Sequence, residues 1–287
     1  MANGLNKTKR RINSVKSTQK ITKAMGMVAS VKLKRYEAAY RKGKEYSSEV
    51  SSLLRMLTLE PEASSTHYAK ANEGAPDFYL AITSDLGLCA SYNVEIYKKL
   101  LSLLKEGDTL APIGAKGVNH FARSPIPGVH LDFSFAAVGL NPDPRDLTKL
   151  SEPLRRAFNE GKYGHIYVVY THYINSLRFE PSLACLLPLE GSYQKSKDEE
   201  IRGYLYEPGP RQLIHKLMAQ YLSASLSSLL VEAQYSEQAS RRNAMDNAND
   251  NADELLRQLS IEYNKARQGA ITQEITEVTA GAKAQQS

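Results

Sequence analysis

Hydrophobic positions recur in steps of three and four near both ends of the chain and in short continuous runs between them. Leu5, Thr8, Ile12, Val15, Gln19, Thr22, Gly26, Ala29, Leu33, Tyr36 and Tyr40 keep a heptad spacing, the pattern of a helix that packs along one stripe against another helix. No proline occurs before Pro61, so the spacing predicts one helix from residue 5 to about 58. The same steps link Leu217, Tyr221, Ala224, Ser228, Val231, Tyr235, Gln238, Arg242, Met245, Asn249, Ala252, Leu256, Leu259, Tyr263 and Ala266. Around them, residues 211 to about 283 are free of proline and rich in good helix formers. Pro208 and Pro210 stand where proline is tolerated, at a helix start. A helix of roughly 75 residues is on the order of 110 Å long, far beyond the usual length, and needs a partner or a socket along it. Both seams mix apolar with small or polar residues: Gln19, Thr22, Gly26 and Ala29 give close approach but weak pairing. Two helices of one style at opposite ends predict an antiparallel pair.

Between them the period changes. Phe78 to Thr83, Thr109 to Ile113, Val129 to Phe135 and Ile166 to Thr171 read as strands. Ser182 to Leu189 and Tyr204 to Tyr206 are further strand candidates. Helical patterns separate the strands. Residues 91–105 place Val94, Tyr97, Leu101 and Leu104 on one face, residues 117–122 form a short turn of helix, and residues 143–158 carry the stripe Leu147, Leu150, Leu154 and Phe158. Alternating strands and helices predict a small α/β sheet covered by helices. Residues 61–76 read as a linker and residues 191–200 as an exposed polar loop. The expected fold is therefore α/β plus a long helical hairpin: an antiparallel coiled coil with an inserted Rossmann-like α/β domain. Its parts are residues 1–60, 76–208 and 209–287.

Charge sharpens this picture. Residues 1–50 hold thirteen lysines and arginines against three glutamates. Their balance of +10 exceeds the +6 of the whole chain, so the N-terminal helix is the basic, partner-facing part. No run of about 18 apolar residues predicts a membrane span, and the basic N-terminus lacks the apolar core of a secretory signal. Cys89 and Cys185 lie far apart and suit a reducing compartment.

Catalytic constellations are missing from the sequence. It contains no P-loop, no GxSxG elbow and no paired histidine motif. The six histidines are scattered, which argues against zinc. Gly114-Ala-Lys-Gly117 lacks the spacing of a pyrophosphate cradle and reads as a strand-to-helix turn. Asp85 reads as a capping residue. No cofactor is expected. An acidic protein partner fits the basic helix better than nucleic acid, since its charges lie all round and few aromatics interleave them.

Three stretches resemble one family, the gamma subunit of the F-type ATP synthase. Residues 10–29 (RRINSVKSTQKITKAMGMVA) are similar to its N-terminal signature and residues 263–281 (YNKARQGAITQEITEVTAG) to its C-terminal one. Thr83-Ser-Asp-Leu-Gly-Leu-Cys89, Leu186 to Leu189 and Tyr206-Glu-Pro208 resemble its internal motifs. The resemblance covers essentially the full length. It implies a non-catalytic rotor subunit in the central stalk, coupling proton flow to ATP synthesis or hydrolysis by rotation. The implied partners are the alpha and beta subunits, epsilon and the c-subunit ring, and the implied place is peripheral, on the cytoplasmic face of the cell membrane. Lys20, Lys23, Met25, Arg241, Arg267, Gln268 and Thr272 match positions that meet beta, and Ile271, Ile275 and Val278 match an apolar bearing tip. Gly26 stands where the family commonly has glutamate, Leu86 where it has arginine, Ala90-Ser91 where it has a glycine pair, and Asp246 where it has lysine or threonine. The chloroplast-type cysteine insertion is absent, so thiol control is not expected. Two other readings remain open: a nucleotide-binding α/β protein with helical arms, and a basic nucleic-acid adaptor.

Overall fold

The computed structural model describes residues 2–58, 60, 67–140, 143–189 and 206–285. The loop expected at 191–200 and most of the strand expected at 204–206 lie outside these residues. Helix α1 runs Ala2–Thr58 and the last helix, α5, runs Pro210–Gln285. Between them come β1 Phe78–Ile82, α2 Tyr92–Leu103, β2 Thr109–Ile113, α3 Ala115–Arg123, β3 His130–Leu131, α4 Pro144–Asn159, β4 Ile166–Tyr173 and β5 Phe179–Leu187. Short 3-10 turns occupy His67–Ala69 and Ala136–Val138. Contacts divide the chain into two compact units, one of residues 1–30 with 241–287 and one of residues 31–240.

The first unit is a pair of helices. Gln19 Nε2 donates to Asp253 Oδ1 at 2.7 Å, Thr22 Oγ1 to Asn249 Oδ1 at 2.5 Å, and Gly26 faces Met245. As the first number rises the second falls, so the pair is antiparallel. The predicted stripe of α1 is covered at every position from Leu5 to Ala29. On α5 the stripe is covered at Met245, Asn249, Ala252, Leu256, Leu259 and Tyr263 but not at Arg242 or Ala266. Arg242 differs because a step of three from Gln238 reaches Arg241, which takes the inner place. Ala266 differs because the pairing is near its end there.

The second unit holds the sheet. Its order is β3-β2-β1-β4-β5, with parallel neighbours except for the antiparallel β4–β5 pair. β1 is buried at all five positions, as a strand covered on both faces must be. Phe78, Leu80 and Ile82 join one core with Leu54, Leu57, Leu154, Phe158, Ile214 and Leu226. Tyr79 and Ala81 join the opposite core with Ile96, Leu100 and Phe121. The long helices therefore bury their inner stripes against one face of the sheet, and α2 and α3 cover the other.

Three expectations change. β3 ends at Leu131 instead of running to Phe135. Leu131 pairs with Leu110, and two residues further along β2 stands Pro112, which lacks the N–H to extend a ladder. The face of α2 buried on the sheet is Tyr92, Ile96 and Leu100; of the expected stripe, Tyr97 and Leu104 pack at the edge of that core, and Val94 and Leu101 are exposed. Both stripes have helical spacing, and the preceding turn sets which one meets the sheet. The linker expected at 61–76 is in part packed: Tyr68 is fully buried, its carbonyl accepts from Leu189 N at 2.7 Å, and its hydroxyl accepts from Asn159 Nδ2 at 2.8 Å.

Candidate functional site

Within the first unit, the predicted partner-contact residues fall into two groups. Lys20 and Lys23 are exposed on α1 and Met25 beside them is half-buried. Among the described residues, the seven basic side chains from Lys7 to Lys23 take part in no ion pair, and the first acidic residue of α1 is Glu37. This face therefore presents uncompensated positive charge, suited to an acidic partner. Arg241, which the resemblance assigns to a contact with beta, is only 4% exposed. Arg242 is the exposed arginine of that turn, 3.7 Å from Asp246.

The second group lies near the end of α5. Arg267, Gln268 and Thr272 are exposed, and the Thr272 hydroxyl donates to the Gln268 carbonyl at 2.9 Å, leaving its lone pairs for an outside donor. Ile271, Ile275 and Val278 are 46%, 62% and 72% exposed. The register fixed by Thr22–Asn249 and Gly26–Met245 carries the start of α1 to about Gly269, so this apolar stretch passes beyond the described residues of its partner helix.

The structure adds residues that the heptad reading left out. Ile21, Ala24 and Val28 form a second apolar stripe on α1, again spaced by three and four, and all are exposed. Met27 and, on α5, Ile261 are exposed too. The seam mixes small and polar side chains with apolar ones such as Met245 and Leu259, and the outer face of α1 sets apolar residues among its basic ones. The signal was legible as a repeat shifted off the seam.

Within the second unit, α5 crosses the carboxyl end of the sheet. Every residue from Glu232 to Ser240 is buried; most polar side chains there have partners, as burial requires, while Gln234 Oε1 has none among the described residues. His172 Nδ1 lies 2.5 Å from Glu232 Oε1, and Tyr173 N donates to the same oxygen at 3.2 Å. Ser236 Oγ donates to the Thr171 carbonyl at 3.0 Å, Ser240 Oγ to the Cys89 carbonyl at 2.9 Å, and Tyr92 Oη to the Ala233 carbonyl at 3.1 Å. Tyr235 stacks on Tyr40 and packs against Tyr173. Burial pushes the Tyr235 phenol well above the ordinary range, and the hydrogen bond with Tyr40 raises Lys44. Open α/β sheets bind ligands beyond the carboxyl ends of their strands, where the strand order reverses. Here that place, between β1 and β4, is filled by the chain's own helix.

The glycine-lysine turn has an architectural task. Gly114 has φ +94°, and a Cβ on Gly117 would lie 2.6 Å from Thr83 Oγ1. The two glycines let α3 start hard against the end of β1, and Gly117 N donates to that hydroxyl at 2.9 Å. Asp85 accepts from Ala115 N at 3.0 Å, capping α3. Among the described residues no cluster of three or more metal-binding side chains occurs.

A family model described as ATP synthase matches residues 4–285. An ATP synthase gamma chain from Mycoplasma mobile is 35% identical over 97% of this chain and 98% of its own. The chain belongs to the ATP synthase gamma family. Among solved structures, a chain of the Tetrahymena thermophila mitochondrial ATP synthase central stalk and c-ring is 26% identical, with a TM-score of 0.58 over 79% of this chain and 99% of that one. A chain from the Euglena gracilis mitochondrial ATP synthase in rotational state 3 superposes with a TM-score of 0.67 over 99% of this chain and 95% of that one, at 16% identity. That second likeness speaks for the fold: long terminal helices around a mixed α/β sheet.

Proposed function

We propose that the chain is the central-stalk rotor subunit of an F-type ATP synthase. It couples proton flow through the membrane sector to ATP synthesis or hydrolysis at the beta subunits, and carries no catalytic group itself. Its partners are the alpha and beta subunits, epsilon, and the c-subunit ring. Family membership over nearly the whole length supports this. The observation that carries it is the helical pair of the first unit, which exposes Ile21, Met27, Val28 and Ile261 outside its seam and whose last turns, with Ile271, Ile275 and Val278 exposed, have no covering partner among the described residues. Exposed apolar side chains gathered in this way mark a surface for a protein partner.

In this reading Lys20 and Lys23 face an acidic lever of beta, with Met25 packed beside them. Arg267, Gln268 and Thr272 offer directional hydrogen bonds to beta in one rotational state, while Ile271, Ile275 and Val278 form a bearing with few such bonds to resist turning. For the turn at 241–242, Arg242 is the side chain open to beta, and Arg241 supports it from within. Coupling requires that the shaft favour different states of successive beta sites by different contacts. No described helix is long and apolar enough to cross a membrane. We place the chain at the cytoplasmic face of the cell membrane as a peripheral subunit, with residues 1–60 and 209–287 as the shaft and 76–208 as the foot.

Reconstitution tests this. Purified alpha and beta subunits should hydrolyse ATP as a stable assembly only when the chain is added, and the chain alone should hydrolyse none. Replacing Ile275 and Val278 by aspartate should lower that activity without shifting the melting temperature of the isolated chain. An equally active assembly that forms without the chain would overturn the reading.

A further inference from the structure

The second unit carries an exposed surface that the shaft does not use. Helix α2 is apolar on two faces. Tyr92, Ile96 and Leu100 are buried on the sheet, yet Val94 and Leu101 face outward, 49% and 62% exposed, while Tyr97 between them in helical step is partly buried against the core. The turn before the helix adds Leu86 and Leu88, 60% and 61% exposed. Leu88 and Ala90 hold φ of +61° and +49°, a region where side chains other than glycine are strained. Apolar side chains at this density, one pair of them on a strained turn, mark an interaction surface.

One border of this patch is basic. Tyr97 stacks face to face on His120 of α3, ring centres 4.0 Å apart, and Phe121 closes edge-on against both rings. Beyond the stack opens a groove of about 470 Å³ whose walls include Lys116, Asn119, His120 and Arg123. Lys116, His120 and Arg123 follow one another at steps of four and three, on one face of α3. The nearby acids are already engaged: Asp85 on Ala115 N and Glu95 on Lys98 at 2.9 Å. No carboxylate is among the groove's lining residues. Burial pushes the Tyr97 phenol up to about 12, so it meets any partner as a neutral hydroxyl.

We infer that the α2–α3 face docks an acidic amphipathic helix of a partner protein, its apolar side on Leu88, Val94 and Leu101 and its carboxylates over Lys116 and Arg123. An apolar stripe with a cationic margin matches the two sides of such a helix. A small anion would use the groove and leave the leucines uncovered; a second copy of this chain would bring the same positive charge to itself. The inference deepens the rotor reading, because it gives the foot its own grip on a neighbouring subunit.

The test uses the full chain reconstituted with alpha, beta and epsilon. A benzophenone amino acid replaces Val94 and the assembly is irradiated. The expected product is a cross-link to an acidic, helical peptide of one partner subunit. Lys116→Glu with Arg123→Glu should cut its yield by about five-fold or more, as should raising the salt from about 0.05 to 0.5 M. All these side chains are exposed, and an unchanged melting temperature confirms that the variant folds. A cross-link to another copy of the chain, to a peptide without carboxylates, or with a yield indifferent to charge reversal overturns the inference. So does protection of α3 amides from hydrogen exchange by inorganic phosphate with no cross-link formed. ATP hydrolysis by the same assemblies separates the two failures: activity independent of the chain sinks the rotor reading, and chain-dependent activity without the acidic cross-link sinks only this surface.

Discussion

The same two helices behave differently in the two units. In the first, α1 and α5 meet through Gln19, Thr22, Gly26, Met245 and Asn249, and the larger apolar side chains Ile21, Val28, Ile271 and Ile275 look outward. In the second, Leu54, Leu57, Ile214, Leu222 and Leu226 are fully buried with the sheet. One unit is a domain with a core. The other is a helical pair that leaves larger apolar side chains exposed. The difference teaches that seam quality along a long helix is tuned to what surrounds each stretch.

The largest expected effect tests the core directly. Leu226→Ala in the second unit should cost about 2–5 kcal/mol in urea unfolding, whereas Leu256→Ala on the half-covered seam should cost about 1 kcal/mol. Equal losses would break the contrast. Next is an alkaline effect confined to the core. Burial raises the Tyr221 phenol to about 12, while its unfolded value is about 10. The folded form holds its proton more tightly, so this stability is complete below pH 10 and is lost as pH rises from about 10 to 12. The loss is at most about 2–3 kcal/mol. Tyr221→Phe should flatten that part of the pH–stability curve.

A single substitution type should then act with opposite signs. Gly117→Ala puts a Cβ 2.6 Å from Thr83 Oγ1 and should destabilise the second unit by about 1–3 kcal/mol. Gly26→Ala meets Met245 Cβ at an ordinary 3.4 Å, and its better helix propensity should stabilise the coil by up to about 1 kcal/mol. Hydrogen exchange at the flanking amides reads both. The smallest effect belongs to the polar seam: a double-mutant cycle of Thr22→Val and Asn249→Leu should give a coupling of about 0.5–1.5 kcal/mol. A coupling near zero would mean that this 2.5 Å hydrogen bond does not hold the shaft.

Both long helices, their stripes, the strands β1, β2 and β4 and the stripe of α4 were legible in the chain, because heptads and short apolar runs each state a period. Lys20, Lys23, Arg267, Gln268, Thr272 and the apolar tip were picked out by the family motifs, and all are exposed. The heptad reading misplaced Arg242, where steps of three and four are both allowed and Arg241 takes the inner place. It also turned Val94 and Leu101 of α2 inward, though both are exposed, because a helix apolar on two sides gives a period without a phase.

What the sequence determined by itself was periodicity, charge and family motifs: a basic helix, a long partner for it and an α/β insert. Only the tertiary structure decided which of two equivalent stripes faces the sheet, that Asp85 caps a helix 30 residues away, and that buried α5 fills the end of the sheet between β1 and β4. Those choices depend on contacts between residues far apart in the chain, such as Ser236 with Thr171 and Ser240 with Cys89. A local pattern cannot encode them, since each is settled by which surfaces bury the most apolar area while leaving most buried polar groups a partner.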